Sequence, residues 1–282
     1  MIETLVLLGV AAFAAGAAGA VLGVGGSVLL IPFMSIGLGL DMKTAIATGL
    51  LSVIGTSAGA AAPYLRQGLA NVRLGVLLAV GTSSGALAGA LVAVDLDSRY
   101  LFATFAAATL GVGAYMARAG ETARERAWRP APAPSGRLRL DGQYFDPEDA
   151  AFYRYTVARP GTGVLAGVGA GALSGLLGVG GGFVMVPAMT GVMRVPLKPA
   201  VATSSMLLGI TGAASAAVYL AGGFVDPLLA MAALLGVSGG TRVGIRFMRR
   251  TPERTVRLAF AALLVVVAVL MGAQAFAGGA VP

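Results

Sequence analysis

The fold is decided by two related stretches, GVGGSVLLIPFM at residues 23–34 and GVGGGFVMVPAM at residues 178–189. They align without a gap at an offset of 155 residues, and the same register continues far beyond them. It places Lys43 on Lys198, and these are the only two lysines of the chain. We therefore predict that an internal duplication built the protein from two copies of one unit.

The composition around these stretches excludes a soluble globular protein, since 57% of the residues are apolar and only 11% are charged. A membrane crossing needs about 20 apolar residues in a helix. Eight apolar segments without a charged side chain approach or reach this length: 5–22, 44–65, 74–94, 100–117, 162–177, 200–222, 227–241 and 258–278.

Two further apolar segments, 27–40 and 182–195, follow the GVGG stretches and are too short for full crossings. We interpret them as half-helices or re-entrant arms. The expected fold is an all-α polytopic integral membrane protein with two inverted repeats. Each repeat has a glycine-tipped broken or re-entrant hairpin plus about three full spans. We predict repeat 1 at 1–117, a cytoplasmic linker at 118–159 and repeat 2 at 160–282.

The positive charges favour the inverted arrangement, because short cytoplasmic loops carry most of the Lys and Arg of a membrane protein. If each GVGG stretch were part of one broken crossing, the 20 Lys and Arg residues would divide ten to ten. If each is the tip of a hairpin that enters and leaves at one face, eighteen lie inside, with only Lys43 and Arg99 outside. We therefore predict that both termini are outside and that the two tips approach each other near the midplane.

Several function classes are excluded or disfavoured by what the sequence lacks. With no Cys and no His, it has no thiol nucleophile, no histidine base and no typical zinc site. Neither GVGG stretch matches a dinucleotide or Walker phosphate loop. The net charge of +8 is concentrated in loops between apolar segments, which fits membrane topology better than nucleic-acid binding. We expect no enzyme activity, no cofactor and no metal site.

The candidate substrate site lies at the two tips, where glycine lets a ligand approach the main chain and half-helix amino ends favour an anion. Hydroxyl groups that follow each hairpin are candidate ligands of oxyanion oxygens. The alternative for the tips is plain helix packing, and for the hydroxyls a bond to their own helix carbonyls. The candidate residues are Gly23, Gly25, Gly26, Ser27 and Thr48 in repeat 1, and Gly178, Gly180, Gly181, Gly182, Thr203, Ser204 and Ser205 in repeat 2.

Two other sets of residues attract attention. Lys43 and Lys198 are expected to gather anions at the two mouths or, alternatively, to anchor the helices at the interface. Two glycine stripes form faces for close helix packing within a subunit or in a possible homodimer. They consist of Gly81, Gly85 and Gly89, and of Gly236, Gly240 and Gly244.

With the paired GVGG segments, each followed by a KxAxAT stretch at residues 43–48 and 198–203, the chain resembles the sulfite exporter TauE/SafE family of bacterial membrane proteins. The resemblance covers both halves and leaves out the linker. The resemblance implies an inner-membrane transporter of sulfite or related organosulfur anions, which members of this family move mostly outward. The competing hypotheses are an anion channel or facilitator for another small anion, and a membrane scaffold that does not transport.

Overall fold

The computed structural model describes residues 2–23, 25–118, 140–146, 151–248 and 253–276. Within them the chain is almost entirely helical. The first half contains α1 (Ile2–Leu22), α2 (Ser27–Pro32), which continues as a π-helical turn (Phe33–Gly37), α3 (Met42–Arg66), α4 (Val72–Asp95) and α5 (Ser98–Arg118). The second half contains α6 (Pro160–Leu177), α7 (Gly182–Gly191), α8 (Leu197–Ala221), α9 (Pro227–Met248) and α10 (Glu253–Phe276).

Seven of the described helices are long and apolar enough to cross a membrane, and α2 with its π-helical turn and α7 are short apolar helices. This confirms the all-α polytopic fold. α5, which we also predicted to be a span, is not one of the seven, but it is 21 residues long and packs along α10. The five helices of one half match those of the other in order, so α1 corresponds to α6 and α3 to α8.

The two halves are held together by helices packed across the duplication. α1 lies along α9 and α4 lies along α6, which are equivalent pairs, and α3 packs against α8. The glycine stripes form the first two contacts. A Cβ added at Gly85 or Gly89 would overlap a main-chain carbonyl of α6, and one added at Gly240 or Gly244 would overlap a carbonyl of α1. Both stripes therefore join repeat 1 to repeat 2.

We expected the glycine stripes to serve helix packing within a subunit or in a possible homodimer, and the structure places them between helices of the same chain. Close helix approach is what small residues permit, and here the chain uses it internally. A homodimer that leaves this packing intact must form through another face.

The direction of the packed helices can be followed from their contacts. Near the middle of α3, Leu50 and Val53 lie opposite Gly212 of α8. Further along α3, Ser57 lies opposite Gly209 of α8, and its hydroxyl donates a hydrogen bond to Met206 O. Residue numbers rise on one helix as they fall on the other, so the equivalent helices α3 and α8 run antiparallel. α5 and α10 do the same, since Gly113 faces Leu264 and Gly272 faces Ala106.

Each GVGG stretch breaks the chain between a long helix and a short one. Gly23 and Gly25 have φ of +72° and +70°, and Gly178 and Gly180 have φ of +73° and +71°. This left-handed conformation ends α1 and α6 and is disfavoured for residues with a side chain. Duplication of the glycines therefore preserves a duplicated backbone turn.

The linker contains a β-hairpin that we did not predict. Strand β1 (Gly142–Asp146) pairs with the antiparallel strand β2 (Ala151–Tyr155), and Tyr144 lies opposite Tyr153. Residues 119–139 and 147–150 of the predicted linker lie outside the described residues.

Candidate functional site

The two glycine tips meet half way along α3 and α8, where Val53 and Leu208 lie between them. A Cβ added at Gly25 would stand 3.1 Å from Val53 Cγ2 and 3.4 Å from Leu208 Cδ1. One added at Gly180 would stand 2.5 Å from Val53 Cγ1 and 2.7 Å from Leu208 Cδ2. Both tips therefore close on the same pair of apolar side chains.

Each tip also packs against a long helix of the other half. A Cβ at Gly23 would lie 2.9 Å from Val201 Cα in α8, and a Cβ at Gly178 would lie 2.8 Å from Ile46 O in α3. Gly182 packs directly on the carbonyl oxygen of Gly23. Most of the predicted glycine residues thus lie in one closely packed cluster, where an added Cβ would come within 3.0 Å of backbone or core atoms at Gly23, Gly26, Gly178, Gly180 and Gly182.

The two tips differ at their last glycine. Gly26 has right-handed geometry (φ −65°) and precedes α2, whereas Gly181 is left-handed (φ +76°) and precedes α7. The amide N–H of Gly26 donates to Thr56 Oγ1 over 3.4 Å. The backbone conformation therefore differs at the residue that precedes Ser27 and Gly182.

The predicted hydroxyls of the first half are buried without partners. Ser27 and Thr48 are fully buried, and Ser27 Oγ and Thr48 Oγ1 have no hydrogen-bond partner among the described residues. Ser27 directly follows the first tip. Thr48 precedes Gly49, where a Cβ would lie 3.4 Å from Gly178 O of the second tip. A buried hydroxyl without a partner carries a free-energy cost of about 1–3 kcal/mol that a ligand can offset.

The predicted hydroxyls of the second half are already engaged. Thr203 Oγ1 accepts the backbone N–H of Asn71 over 2.9 Å, and Ser204 Oγ donates to Gly23 O over 3.0 Å. Ser205 Oγ donates to Val201 O in its own helix, as the alternative hypothesis for these residues expected. The two half-sites therefore differ in available donors.

Three residues near the tips were missed. Ser174 lies in α6 one turn before Gly178, is fully buried, and its Oγ has no partner within the described part of the chain. An isolated serine in an apolar segment gives little signal. Val53 and Leu208 are equivalent positions of the duplication, since they are 155 residues apart. Sequence alone does not single them out, because apolar residues are expected throughout a membrane helix.

The two lysines lie in helices but are not open surface charges. Lys43 Nζ donates to Val94 O over 2.6 Å and stands 5.5 Å from the centre of the Phe224 ring, which joins α3, α4 and the α8–α9 loop. Lys198 is only 4% exposed. Lys43 in α3 therefore contacts both α4 and the α8–α9 loop at one end of the helix bundle.

The chemistry available at the tips is that of neutral hydrogen-bond donors. No group of three His, Cys, Asp or Glu side chains suited to a metal occurs in the described ranges. The side chains that surround the tips are hydroxyls and aliphatic groups. Such a site can hold the oxygens of a small anion without a counter-charge, which makes binding weak and release easy.

Comparison with known proteins agrees with this membrane architecture. The family model described as sulfite exporter TauE/SafE matches residues 8–271. The chain is 26% identical over 276 residues to the "Probable membrane transporter protein YunE" of Bacillus subtilis (strain 168), covering 95% of this chain and 96% of that protein. No solved structure matches the chain. The chain belongs to the sulfite exporter TauE/SafE family, and it is a multi-pass membrane transporter and not an enzyme.

Proposed function

We propose that the protein exports a small sulfur-containing oxyanion, such as sulfite or an organosulfonate, across the bacterial inner membrane. The substrate binds at the interlocked tips, with oxygens held by Ser27, Thr48 and the glycine backbone. The observation that carries this proposal is the pair of buried hydroxyls, Ser27 Oγ and Thr48 Oγ1, without partners beside the tips. The substrate class rests on membership of the sulfite exporter TauE/SafE family.

The proposal uses an inverted arrangement of the two halves. The antiparallel packing of α3 on α8 supports it, because equivalent helices of inverted repeats run in opposite directions through the membrane. The eighteen-to-two distribution of Lys and Arg supports an orientation with both termini outside and the linker in the cytoplasm. Alternating access then comes from movement of one half against the other around the tips.

An open channel fits the packing less well. Val53 and Leu208 are both fully buried and contact both tips. These apolar side chains fill the space between Gly25 and Gly180 in this conformation, where an open channel would need a water-filled path. A transporter must move these groups once per cycle, which predicts slow, saturable flux.

The test is flux into liposomes that contain the purified protein. We expect saturable uptake of sulfite, thiosulfate or sulfoacetate, abolished in a Gly25→Leu, Gly180→Leu double variant. The matched control is Gly111→Leu, Gly169→Leu, since an added Cβ at these helical glycines meets nothing within 4 Å. Folded protein without flux of any of these anions, or equal loss in both double variants, would contradict the proposal.

Cysteine labelling tests the topology in this cysteine-free chain. Arg99 and Arg194 are both exposed. We expect an impermeant thiol reagent added to intact cells to label Arg99→Cys and to spare Arg194→Cys. Labelling of both would contradict the inverted arrangement, because a single broken crossing places both residues outside.

A further inference from the structure

The linker hairpin, residues 140–146 and 151–155, presents one face to the helices and one away from them. Leu140, Tyr144 and Tyr155 are 5–8% exposed, whereas Phe145 and Phe152 on the opposite face are 41% and 72% exposed. Just after the hairpin, the N–H of Ala158 donates to Met193 O in the loop between α7 and α8. The hairpin is therefore docked on the helical body.

Asn71, in the loop between α3 and α4, holds this hairpin. Its Nδ2 donates to Leu140 O over 2.7 Å and to Tyr155 Oη over 3.3 Å. Its Oδ1 accepts from Leu74 N and caps α4. Burial raises the pKa of Tyr155 to about 12, although the hydrogen bond from Asn71 opposes the increase. The Tyr155 hydroxyl therefore stays neutral in the cell.

The same Asn71 reaches the candidate site. Its backbone N–H donates to Oγ1 of the fully buried Thr203. The next residue, Ser204, donates to Gly23 O at the first tip. A continuous set of contacts thus runs from the hairpin through Asn71 to Thr203, and from its neighbour Ser204 to the glycine tip.

The equivalent place in the duplication lacks this connection. Asp226 takes the position of Asn71, and its Oδ1 accepts from Leu228 N and Leu229 N to cap α9. Thr48 takes the position of Thr203, and its Oγ1 has no partner among the described residues. The cap is therefore common to both halves, whereas the contact with the threonine occurs only where the hairpin is docked.

We infer that the linker hairpin is a gate over the Thr203 half-site and that Asn71 is the positioning residue that couples the two. While the hairpin is docked, the Asn71 loop lies against Thr203 and occupies its oxygen. Release of the hairpin frees the loop, and Thr203 then resembles Thr48, a buried hydroxyl open to an oxyanion. The inference rests on the proposed function and regulates the same site.

The experiment measures access to the site without any substrate. A single reporter, Ser204→Cys, is introduced in the cysteine-free chain, and the protein is placed in nanodiscs, where a soluble maleimide reaches both faces. In this background we introduce Asn71→Ser, which keeps the α4 cap but removes both hairpin bonds. The matched control is Asp226→Ser, which keeps the α9 cap in the half that has no hairpin. Tyr155→Phe is a second, milder variant that removes one acceptor.

We expect Asn71→Ser to raise the labelling rate of the reporter roughly tenfold, as loss of two hydrogen bonds predicts. Tyr155→Phe should give a smaller increase, and Asp226→Ser should leave the rate unchanged. Unchanged rates in both Asn71→Ser and Tyr155→Phe, or an equal increase in Asp226→Ser, would overturn the inference. If Asn71→Ser does not fold, Tyr155→Phe against Asp226→Ser decides. Because no anion is present, a failure of the gate is distinct from a failure of the proposed substrate.

Discussion

The two tips share left-handed first and third glycines and differ in their polar chemistry. In both, left-handed glycines end a long helix and bring the chain to Val53 and Leu208. In the first, Ser27 follows the tip with an unpartnered hydroxyl, whereas in the second Gly182 follows and packs on Gly23 O. Duplication therefore preserved the left-handed main-chain turn, which glycine adopts most easily, while the side chains that can hold a ligand diverged.

This difference separates two tasks that a symmetric site would combine. The second tip is tightly packed around Gly180, so its substitutions should act mainly on folding. The first tip is followed by Ser27, whose buried hydroxyl has no partner among the described residues, so substitution there should act mainly on transport. Substitutions at matched positions in the two tips and their surroundings should separate these two tasks.

The largest effect is expected from alanine at the third glycine of each tip. Gly180→Ala places a methyl group 2.5 Å from Val53 Cγ1, whereas Gly25→Ala places it 3.1 Å from Val53 Cγ2. In both variants the left-handed conformation of alanine costs about 1–2 kcal/mol. Overpacking against Val53 adds a cost of about 1–3 kcal/mol at Gly180. We expect Gly180→Ala to lower the free energy of unfolding more than Gly25→Ala, measured by denaturant titration in detergent.

A second substitution isolates the packing contribution. Val53→Ala should recover part of the stability lost in Gly180→Ala, because it removes the methyl group that the new Cβ meets. The same Val53→Ala should help Gly25→Ala less. Equal losses in the two glycine variants, with no recovery by Val53→Ala, would show that the tips are packed alike.

Serine substitutions should give opposite results in the two halves. Ser204→Ala leaves Gly23 O without its donor and should lower stability by about 1 kcal/mol. Ser27→Ala removes a hydroxyl that has no partner within the described residues, so stability should stay equal or rise. We expect Ser27→Ala to raise KM for the transported anion in the liposome assay while the thermal midpoint is maintained.

The outcome that contradicts this comparison is specific. If Ser27→Ala lowers the thermal midpoint and leaves flux unchanged, the Ser27 hydroxyl is structural and the asymmetry between the tips has no role in binding. Thr56→Ser is a suitable control, because it keeps the hydroxyl that accepts from Gly26 N.

Local and periodic features of the sequence predicted much of this architecture. The long apolar segments predicted the helices, and the repeated glycines predicted the broken helices, because each signal lies within one segment. The glycine stripes predicted close helix packing, although not the partner helices. The duplication added the correspondence between α3 and α8, which a single segment cannot provide.

Contacts between distant residues could not be predicted in the same way. Asn71 in a short loop gives no sign that its N–H meets Thr203, 132 residues away. The strands of the linker hairpin are short and surrounded by arginine and proline, so composition favoured a plain linker. Nor does the sequence distinguish the unpartnered Ser27 from the engaged Ser204, since both are serines within largely apolar segments.

The smallest effect concerns the turns that lead from the short helices into α3 and α8. Arg194 is left-handed with φ of +58°, and the equivalent residue in the first half is Gly39 with φ of +66°. Arg194→Gly removes a left-handed penalty of about 1–2 kcal/mol but makes the unfolded chain more flexible by about 0.5–1 kcal/mol. The net expectation is a stabilisation of about 0.5–1 kcal/mol, measured as a rise in the denaturant midpoint.

Two further variants check this explanation. Gly39→Ala should lower the denaturant midpoint, because alanine in the left-handed conformation carries the same free-energy cost as Arg194. Arg194→Asn, which tolerates this conformation, should fall between Arg194 and Arg194→Gly. A lower midpoint for Arg194→Gly would instead mean that the arginine side chain stabilises the turn by more than its backbone costs, and the two turns would then differ in contacts as well as in strain.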